Sequence, residues 1–284
     1  MNQNKRTIAV LSGKGGTGKT FVSVNLAAAA DQARYYDCDV EEPNGHLYFK
    51  PEPIRSEEVF VPIPFADAAL CDGCKECISF CRFHALAYVG SKLMVFPDVC
   101  HSCGGCMLVC PKQAISEKPK EVGRLEIGMS QSVEVHSGIM NVGVESGVPV
   151  IRSLLADQRD GEGLLVIDCP PGSACTVTES IRDADYCILV AEPSVFGVHN
   201  LDLVARLCRS LGKPFGVVLN KCTEEENPSL AYATQHQIPI LASVPFDPQL
   251  AYWNSEGLIA VRESDTYREL FRGVLNRIEQ EADA

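Results

Sequence analysis

The sequence predicts an α/β fold, in which a doubly wound and mostly parallel sheet is interrupted by a small cysteine-rich insertion. Short apolar segments of strand length recur along the 284 residues and alternate with helical patterns, as they do in a parallel sheet. A glycine-rich loop, Gly13–Thr20, separates the first strand from the first helix. Two cysteine-rich runs fall between the second and third of the apolar strands.

The N-terminal elements are predicted from their residue types. Thr7–Ser12 is an apolar strand, and an Ala-rich helix runs from Lys19 to about Asp31. A second strand, Ala33–Cys38, ends among acidic residues. Four prolines between Pro51 and Pro64 then argue against a helix.

The C-terminal half returns to the alternating pattern. A Gly- and Ser-rich region, Val122–Val148, predicts a hairpin and loop, and an apolar helix is predicted over Leu201–Leu211. A final helical pattern, Tyr267–Ile278, has one apolar face and is expected to dock on its own domain. Four further strands are predicted, at Gly163–Asp168, Tyr186–Ala191, Phe215–Asn220 and Ile238–Val244.

The net charge limits the partners. The formal charge of −12 comes from 37 acidic and 25 basic residues. An acidic balance argues against a nucleic-acid-binding surface and against attraction to anionic lipid. No apolar run approaches the roughly 20 residues of a membrane span. We therefore expect neither a nucleic-acid partner nor membrane association.

The cysteine content is compatible with two kinds of protein. Fourteen cysteines could indicate a secreted disulfide scaffold. The length of the chain and the spacing of its cysteines oppose that reading. We expect a reducing cytoplasm, where thiolates remain free to bind metal.

The loop Gly13–Thr20 has the pattern of a phosphate-binding loop. Its glycines would let backbone N–H groups surround phosphate groups at the start of a helix. Lys19 is expected to contact the β- and γ-phosphates, and Thr20 to bind Mg²⁺. The alternative is a chance glycine-rich turn, which the flanking strand and helix disfavour. The residues expected to hold ATP or ADP here are Gly13, Gly15, Gly16, Thr17, Gly18, Lys19 and Thr20.

Eight cysteines form two quartets with the spacing C-x2-C-x2-C-x3-C. This is the thiolate spacing that holds a cubane iron–sulfur cluster, and we predict two 4Fe–4S clusters. Zinc is the competing metal, but it usually takes two C-x2-C pairs at longer separation. Pro111 follows the last cysteine, whereas Arg82 follows Cys81. The quartets are Cys71, Cys74, Cys77 and Cys81, then Cys100, Cys103, Cys106 and Cys110.

These motifs together resemble the MinD/ParA superfamily of P-loop ATPases, in members that carry an inserted bacterial-type two-cluster ferredoxin domain. Lys14 gives the loop the form of the deviant Walker A motif, which the nitrogenase iron protein shares. The resemblance implies a P-loop NTPase sheet with a small α+β ferredoxin-like insert. It divides the chain into ATPase residues 1–64, the insert 65–118, and ATPase residues 119–284.

The resemblance also implies roles for individual residues. Lys14 would reach the phosphates of a partner subunit in an ATP-dependent dimer; alternatively it acts only within its own chain. Asp168 would hold Mg²⁺ as the Walker B acid, and Asp39, rather than Asp37, would orient the attacking water. The adenine side of the site would be formed by Asn220, Lys221, Pro245 and Asp247.

In two-cluster ferredoxins the fourth cysteine of each run binds the other cluster. The resemblance therefore implies one cluster on Cys71, Cys74, Cys77 and Cys110. The other would take Cys100, Cys103, Cys106 and Cys81. Cys175 lies at the same offset from Asp168 as a cluster-binding cysteine of the nitrogenase iron protein, so an intersubunit metal site there is a further, weaker hypothesis.

The expected function is that of a Mg²⁺-dependent, partner-stimulated ATPase. It would couple dimerisation, with itself or with a paralogous ATPase, to electron transfer or to assembly and delivery of a metal–sulfur cofactor on a metallocofactor-binding partner. The alternative is a MinD-like spatial regulator of cell division whose insert senses redox state. A third reading, a ferredoxin with a vestigial ATPase, is disfavoured by the intact set Lys19, Thr20, Asp39 and Asp168.

Overall fold

The computed structural model describes residues 6–156, 158, 163–223 and 226–282. These residues form a nine-stranded sheet and, in the insertion, a separate two-stranded sheet. The strands are Arg6–Leu11 (β1), Ala33–Asp37 (β2), Glu52–Ala66 (β3), Leu86–Val89 (β4), Lys92–Val95 (β5), Ile115–Ser130 (β6), Val133–Met140 (β7), Leu164–Asp168 (β8), Tyr186–Ala191 (β9), Phe215–Cys222 (β10) and Ile240–Pro245 (β11).

Helices cover both faces of the large sheet. The α-helices of the described ranges, of which α3 and α4 lie in the insertion, are Lys19–Ala29 (α1), Gly45–Phe49 (α2), Glu76–Phe80 (α3), Gly105–Leu108 (α4), Val148–Leu154 (α5), Cys175–Ile181 (α6), Val195–Ser210 (α7), Pro228–Gln235 (α8), Pro248–Ser255 (α9), Ala260–Glu263 (α10) and Asp265–Ala282 (α11).

The strand order of the large sheet is β11-β10-β9-β1-β8-β2-β7-β6-β3. Neighbouring strands are parallel from β11 to β7, and the β7–β6 and β6–β3 pairs are antiparallel. The predicted α/β class and mostly parallel sheet are therefore confirmed. The predicted hairpin after Val122 is the β6–β7 pair, joined by a turn at residues 131–132.

Two apolar cores lie on opposite sides of the sheet. One contains residues of α1, α10 and α11, and the other residues of α5, α6, α7 and α8. The apolar face of α11 is buried at Tyr267, Phe271, Val274 and Ile278, as expected for a helix that docks on its own domain. Within the described ranges, no helix is both long enough and apolar enough to cross a membrane.

Two helix boundaries differ from the sequence prediction. Helix α1 ends at Ala29 because Ala30 is already extended. Helix α7 begins at Val195, earlier than the apolar pattern indicates, because the Ser194 hydroxyl accepts a hydrogen bond from the Gly197 N–H at 2.9 Å. This N-cap fixes the start of the helix beside the glycine-rich loop.

A long two-stranded ribbon carries the insertion. Strand β3 has 15 residues and β6 has 16, and their pairing extends from Glu52↔Met129 out to Ala66↔Ile115. From Ile115 to Val122, on the N-terminal side of Gly123, β6 does not pair with β7, so this outer part of the ribbon extends out of the sheet. Residues 67–114 lie beyond its far end. From the sequence, the proline-rich stretch in β3 is predicted only to be non-helical.

The base of the ribbon is bonded to the segment that follows β2. The Met140 N–H donates to the Val40 carbonyl at 2.9 Å, and the Asn141 N–H donates to the Val122 carbonyl at 3.0 Å. Within the outer ribbon, where Lys120 pairs with Val61, the Lys120 ammonium donates to Asp98 at 2.7 Å and so ties the insertion to β6. Backbone bonds therefore connect the β2–α2 segment with the ribbon that holds the insertion.

Candidate functional site

The glycine-rich loop lies where β1 ends and α1 begins, at the carboxyl edge of the parallel strands. Gly18 has φ +91°, and a Cβ atom there would lie 2.1 Å from the Asn220 side-chain nitrogen. That nitrogen donates to the Thr17 carbonyl at 2.8 Å. The loop therefore closes against β10, and glycine is required at position 18 for both backbone and space.

A buried ionic cluster lies under the loop. The Lys19 ammonium is 2.5 Å from Asp168 Oδ1 and 3.8 Å from Asp39 Oδ2. Although burial acts in the opposite direction, Asp168, Asp37 and Asp39 raise the pKa of Lys19. Lys19 therefore stays charged and neutralises part of the cluster. Asp168 is completely buried, and its Oδ2 accepts a hydrogen bond from the Tyr35 hydroxyl at 2.9 Å.

The two acids at the end of β2 have different environments. The fully buried Asp37 carboxylate accepts hydrogen bonds from the N–H groups of Asp39, Asn44 and Gly45, at 3.2, 3.0 and 2.8 Å. Burial, and then the neighbouring Asp168 charge, raise the pKa of Asp37 to about 7. Asp37 thus holds the β2–α2 segment, whereas the Asp39 side chain faces the cavity.

Asp39 provides a pH-dependent test of this arrangement. Burial, with Asp168 adding to it, raises the pKa of Asp39 to about 6, from an ordinary value of 3.8. The folded chain therefore binds a proton here more tightly than the unfolded chain. The resulting stabilisation is fully present below about pH 4 and is lost as the pH rises through about 6.

We expect Asp39→Asn to melt at a higher temperature than the natural chain at pH 7.5, and this gain to disappear near pH 4. The control is Asp247→Asn, because the Tyr267 hydroxyl lowers the pKa of Asp247 and the effect should have the opposite sign. Melting temperatures across pH 4–8 measure both. Equal melting temperatures of Asp39→Asn and the natural chain at pH 7.5 would contradict the assignment.

Lys14 contacts Glu192 of its own chain. Its ammonium forms a very short ion pair with the Glu192 carboxylate, which also lies 4.0 Å from the Lys221 ammonium. Burial would raise the pKa of Glu192, but the hydrogen bond and charge of Lys14 outweigh it and lower that pKa. Glu192 could not be predicted as a partner of Lys14 from the sequence, because 178 residues separate the pair.

A cavity of about 710 Å³ opens beside the loop. Among the predicted residues, Gly13, Lys14, Thr17 and Asp168 do not line it. Its wall also includes Tyr48, Phe246, Leu250 and Asn254, which the sequence analysis did not predict. The predicted residues on its wall are Gly15, Gly16, Gly18, Lys19, Thr20, Asp39, Asn220, Lys221, Pro245 and Asp247.

The arrangement suits a nucleoside triphosphate with Mg²⁺. One wall is a loop of backbone N–H groups with a buried lysine, and another has the apolar side chains Phe246 and Leu250. The loop and Lys19 offer donors for phosphate oxygens, and Thr20 with Asp168 offers oxygen ligands of the kind that Mg²⁺ prefers. The apolar wall can accept the flat face of a base.

The two halves of the insertion repeat each other in backbone conformation. Residues with positive φ occur at matching positions of the two quartets. Helices α3 and α4 each begin directly after one of them, Lys75 and Gly104. The matching pairs are Gly73 with Ser102, Lys75 with Gly104, and His84 with Gln113.

Thiols from both quartets meet at one pocket. Cys71, Cys74 and Cys77 of the first quartet line it together with Cys110 of the second. Burial raises the pKa of the Cys77 thiol, and the nearby Cys110 and Cys74 add to this effect. A cluster there would lie against the apolar core of the insertion, which contains Leu86 and Ile115.

The remaining cysteines of the quartets also lie together in part. Burial raises the pKa of the Cys106 thiol, and the charges of Cys100 and Cys103 act in the same direction. Cys81 packs against the same small core as Cys106. Cys175, by contrast, is exposed at the first residue of α6.

Among the residues that the structure describes, no group of three or more His, Cys, Asp or Glu side chains is arranged to hold one metal ion. The four thiolates of a cubane bind four different iron atoms, so they are further apart than the ligands of one ion. A pocket lined by four thiols is compatible with that spacing.

The fold and the loop geometry together define a nucleotide-binding P-loop protein. Residues 8–261 match the model of the CobQ/CobB/MinD/ParA nucleotide-binding domain. Since that match covers most of the sequence, the chain belongs to this family.

Known structures and sequences agree with this assignment. The septum site-determining protein MinD of Pyrococcus horikoshii, solved with Mg-ADP, has a TM-score of 0.63 at 18% identity, over 98% of this chain and 97% of its own. At this identity the likeness shows the fold alone.

Two sequence relatives complete the comparison. An uncharacterized protein of Methanocaldococcus jannaschii is 27% identical over 75% of this chain and 79% of its own length. A probable cytosolic Fe–S cluster assembly factor of Schizosaccharomyces pombe is 23% identical over 88% of this chain. The match spans only 39% of that relative.

Proposed function

We propose that the chain is an ATP-hydrolysing iron–sulfur protein that couples nucleotide-dependent dimerisation to electron transfer, or to assembly or delivery of a metal–sulfur cofactor on a partner protein. The observation that carries the proposal is the pocket in which Cys110 joins three thiols of the first quartet. The family assignment also supports the proposal, as do the backbone hydrogen bonds between the ribbon and the β2–α2 segment.

ATP is the proposed substrate, and the chain's own residues have distinct roles toward it. Lys19 turns from Asp168 to the phosphates and stabilises the charge on the transferred group. Thr20 and Asp168 hold Mg²⁺, and the partly exposed Asp39 orients the attacking water. The adenine side of the site is formed by Asn220, Lys221, Pro245 and Asp247.

The insertion would carry the iron–sulfur part of the proposed function. Cys71, Cys74, Cys77 and Cys110 would hold one 4Fe–4S cluster, and Cys100, Cys103, Cys106 and Cys81 the other. When bound, such clusters supply one-electron carriers. The chain's contribution is to keep the thiols against an apolar core and to connect them by backbone bonds to the segment that carries Asp39.

The coupling follows from those bonds. Val40 is the residue next to Asp39, and its carbonyl accepts from the last residue of β7 at 2.9 Å. Asn141, the following residue, donates to Val122 of the ribbon at 3.0 Å. A movement of the β2–α2 segment on hydrolysis would therefore displace the base of the ribbon.

The test is an anaerobic pull-down with the full chain, its clusters reconstituted and its nucleotide trapped by Asp39→Ala. We expect ATP-dependent capture of a metallocofactor-binding protein and partner-stimulated hydrolysis by the natural chain. A chain that hydrolyses ATP but captures only a membrane fraction or a division protein would instead support the spatial regulator. Failure to bind ATP despite full iron occupancy would contradict both.

Lys14 gives a separate prediction about the dimer. Because Lys14 pairs with Glu192 in the single chain, it must leave that partner to reach a second subunit. In the Asp39→Ala background, Lys14→Ala is expected to abolish the ATP-dependent dimer in size-exclusion chromatography with light scattering. The control is Lys213→Ala, which removes a lysine that lies outside the cavity and donates to the carbonyls of Arg182 and Ala184. A dimer that persists without Lys14 would assign this lysine to its own chain.

A further inference from the structure

We propose that Tyr35 is a positioning residue for Asp168, holding its carboxylate in a fixed orientation when Lys19 turns to the phosphates. The proposal rests on the function proposed above, in which Asp168 holds Mg²⁺. It adds a residue on β2 that none of the motifs contains.

The contact is direct and completely buried. Tyr35 and Asp168 are both fully inaccessible to solvent, and the hydroxyl donates to Oδ2 at 2.9 Å. Lys19 contacts the other oxygen, Oδ1, at 2.5 Å. The two oxygens of one carboxylate thus have separate partners, one a cation that must move and the other a neutral hydroxyl that need not.

The position of the Tyr35 ring is determined from several sides. Its centroid is 5.0 Å from that of Phe49, at an interplanar angle of 54°. A Cβ atom at Gly45 would lie 2.3 Å from the ring, so only glycine leaves room for it there. The packing around the ring therefore keeps the hydroxyl beside Asp168 and prevents it from turning to another hydrogen-bond acceptor.

The need for such a residue follows from the charge balance. When Lys19 leaves, Asp168 becomes a buried carboxylate without its nearest cation, which is costly unless other hydrogen bonds remain. The Tyr35 hydroxyl supplies one and stops the carboxylate from rotating, so that Oδ1 stays directed toward the site that Lys19 vacates. Asp37 does not take this role, because its carboxylate already accepts hydrogen bonds from the N–H groups of Asp39, Asn44 and Gly45.

Replacement of Tyr35 by phenylalanine tests the proposal, because it removes the hydroxyl and keeps the ring. Affinity for a fluorescent ATP analogue is measured in EDTA and across a Mg²⁺ titration, together with kcat, KM and the melting temperature. We expect kcat/KM and the Mg²⁺-dependent gain in affinity to fall by about tenfold to a hundredfold, the loss typical of a hydrogen bond to a charged group. Binding in EDTA should be unchanged.

The matched control is Tyr232→Phe, which removes another tyrosine–carboxylate hydrogen bond, to Asp202 at 2.7 Å, away from the cavity. It should leave the Mg²⁺ titration unaltered. Equal losses with and without Mg²⁺ in Tyr35→Phe, or no loss at all, would reduce Tyr35 to a packing residue and overturn the inference. If the natural chain neither binds nor hydrolyses ATP, the proposed function itself fails, which is a different result.

Discussion

Replacing Lys19 with methionine is expected to reduce ATP hydrolysis by at least about a hundredfold, and also to destabilise the nucleotide-free chain by about 3–5 kcal/mol. The first effect follows because the proposed phosphate contact is lost. The second follows because Asp168 would remain buried without its 2.5 Å partner. Denaturant unfolding and steady-state hydrolysis measure the two effects separately.

A double-mutant cycle separates the contribution of the Lys19–Asp168 ion pair to the free energy of unfolding from the effect of lost packing. Adding Asp168→Asn to Lys19→Met removes the uncompensated charge and should restore most of the stability, but none of the hydrolysis. Lys213→Met is the control, because this lysine lies outside the cavity and donates to the Arg182 and Ala184 carbonyls, so hydrolysis should be unchanged. If Lys19→Met is as stable as the natural chain, the buried pair does not have the importance we assign to it.

Replacement of single cysteines should show which thiols share a cluster. We expect Cys110→Ala and Cys71→Ala to abolish the same electron paramagnetic resonance signal, each with loss of about half of the bound iron. Cys81→Ala should abolish the other signal. This follows from crossed ligation, in which the last cysteine of each quartet completes the opposite cluster.

The control for these variants is Cys208→Ala, which removes a buried thiol of the large core outside the insertion. It should leave both signals intact. If Cys110→Ala abolishes the signal of the cluster on Cys100 and leaves the signal of the cluster on Cys71 intact, ligation is not crossed. A chain that binds zinc alone after anaerobic purification with iron would contradict the cubane assignment.

The parallel strands could be predicted from sequence because each is buried on both faces and therefore continuously apolar. The ribbon could not be predicted in this way. Glu52, Arg55 and Glu58 are exposed, and prolines interrupt the strand, so β3 has neither an apolar run nor a clean alternation. Its strand character comes from pairing with β6, which lies on the far side of the insertion.

In the candidate site, too, residues that are neighbours in the sequence could be predicted, and contacts between residues far apart in the sequence could not. The loop Gly13–Thr20 and the quartets are contiguous patterns, so their residue types could be read directly. Tyr35 and Glu192 were not predicted, because their partners lie 133 and 178 residues away. The structure also separates Asp37 from Asp39, since only backbone geometry shows that Asp37 is occupied by three N–H groups.

The outer ribbon, from Phe60 to Ala66, gives the insertion a reach of about 20 Å from the edge of the sheet. In the proposed function, the ribbon is the path by which a movement of the β2–α2 segment would reach the insertion. Because the ribbon is bonded near its inner end, a small tilt of the ribbon at Val40 and Met140 would produce a larger displacement of the insertion at its outer end. Under the proposed function, nucleotide state would then set where the cysteines meet a partner, without a change in the distances between the cysteines themselves.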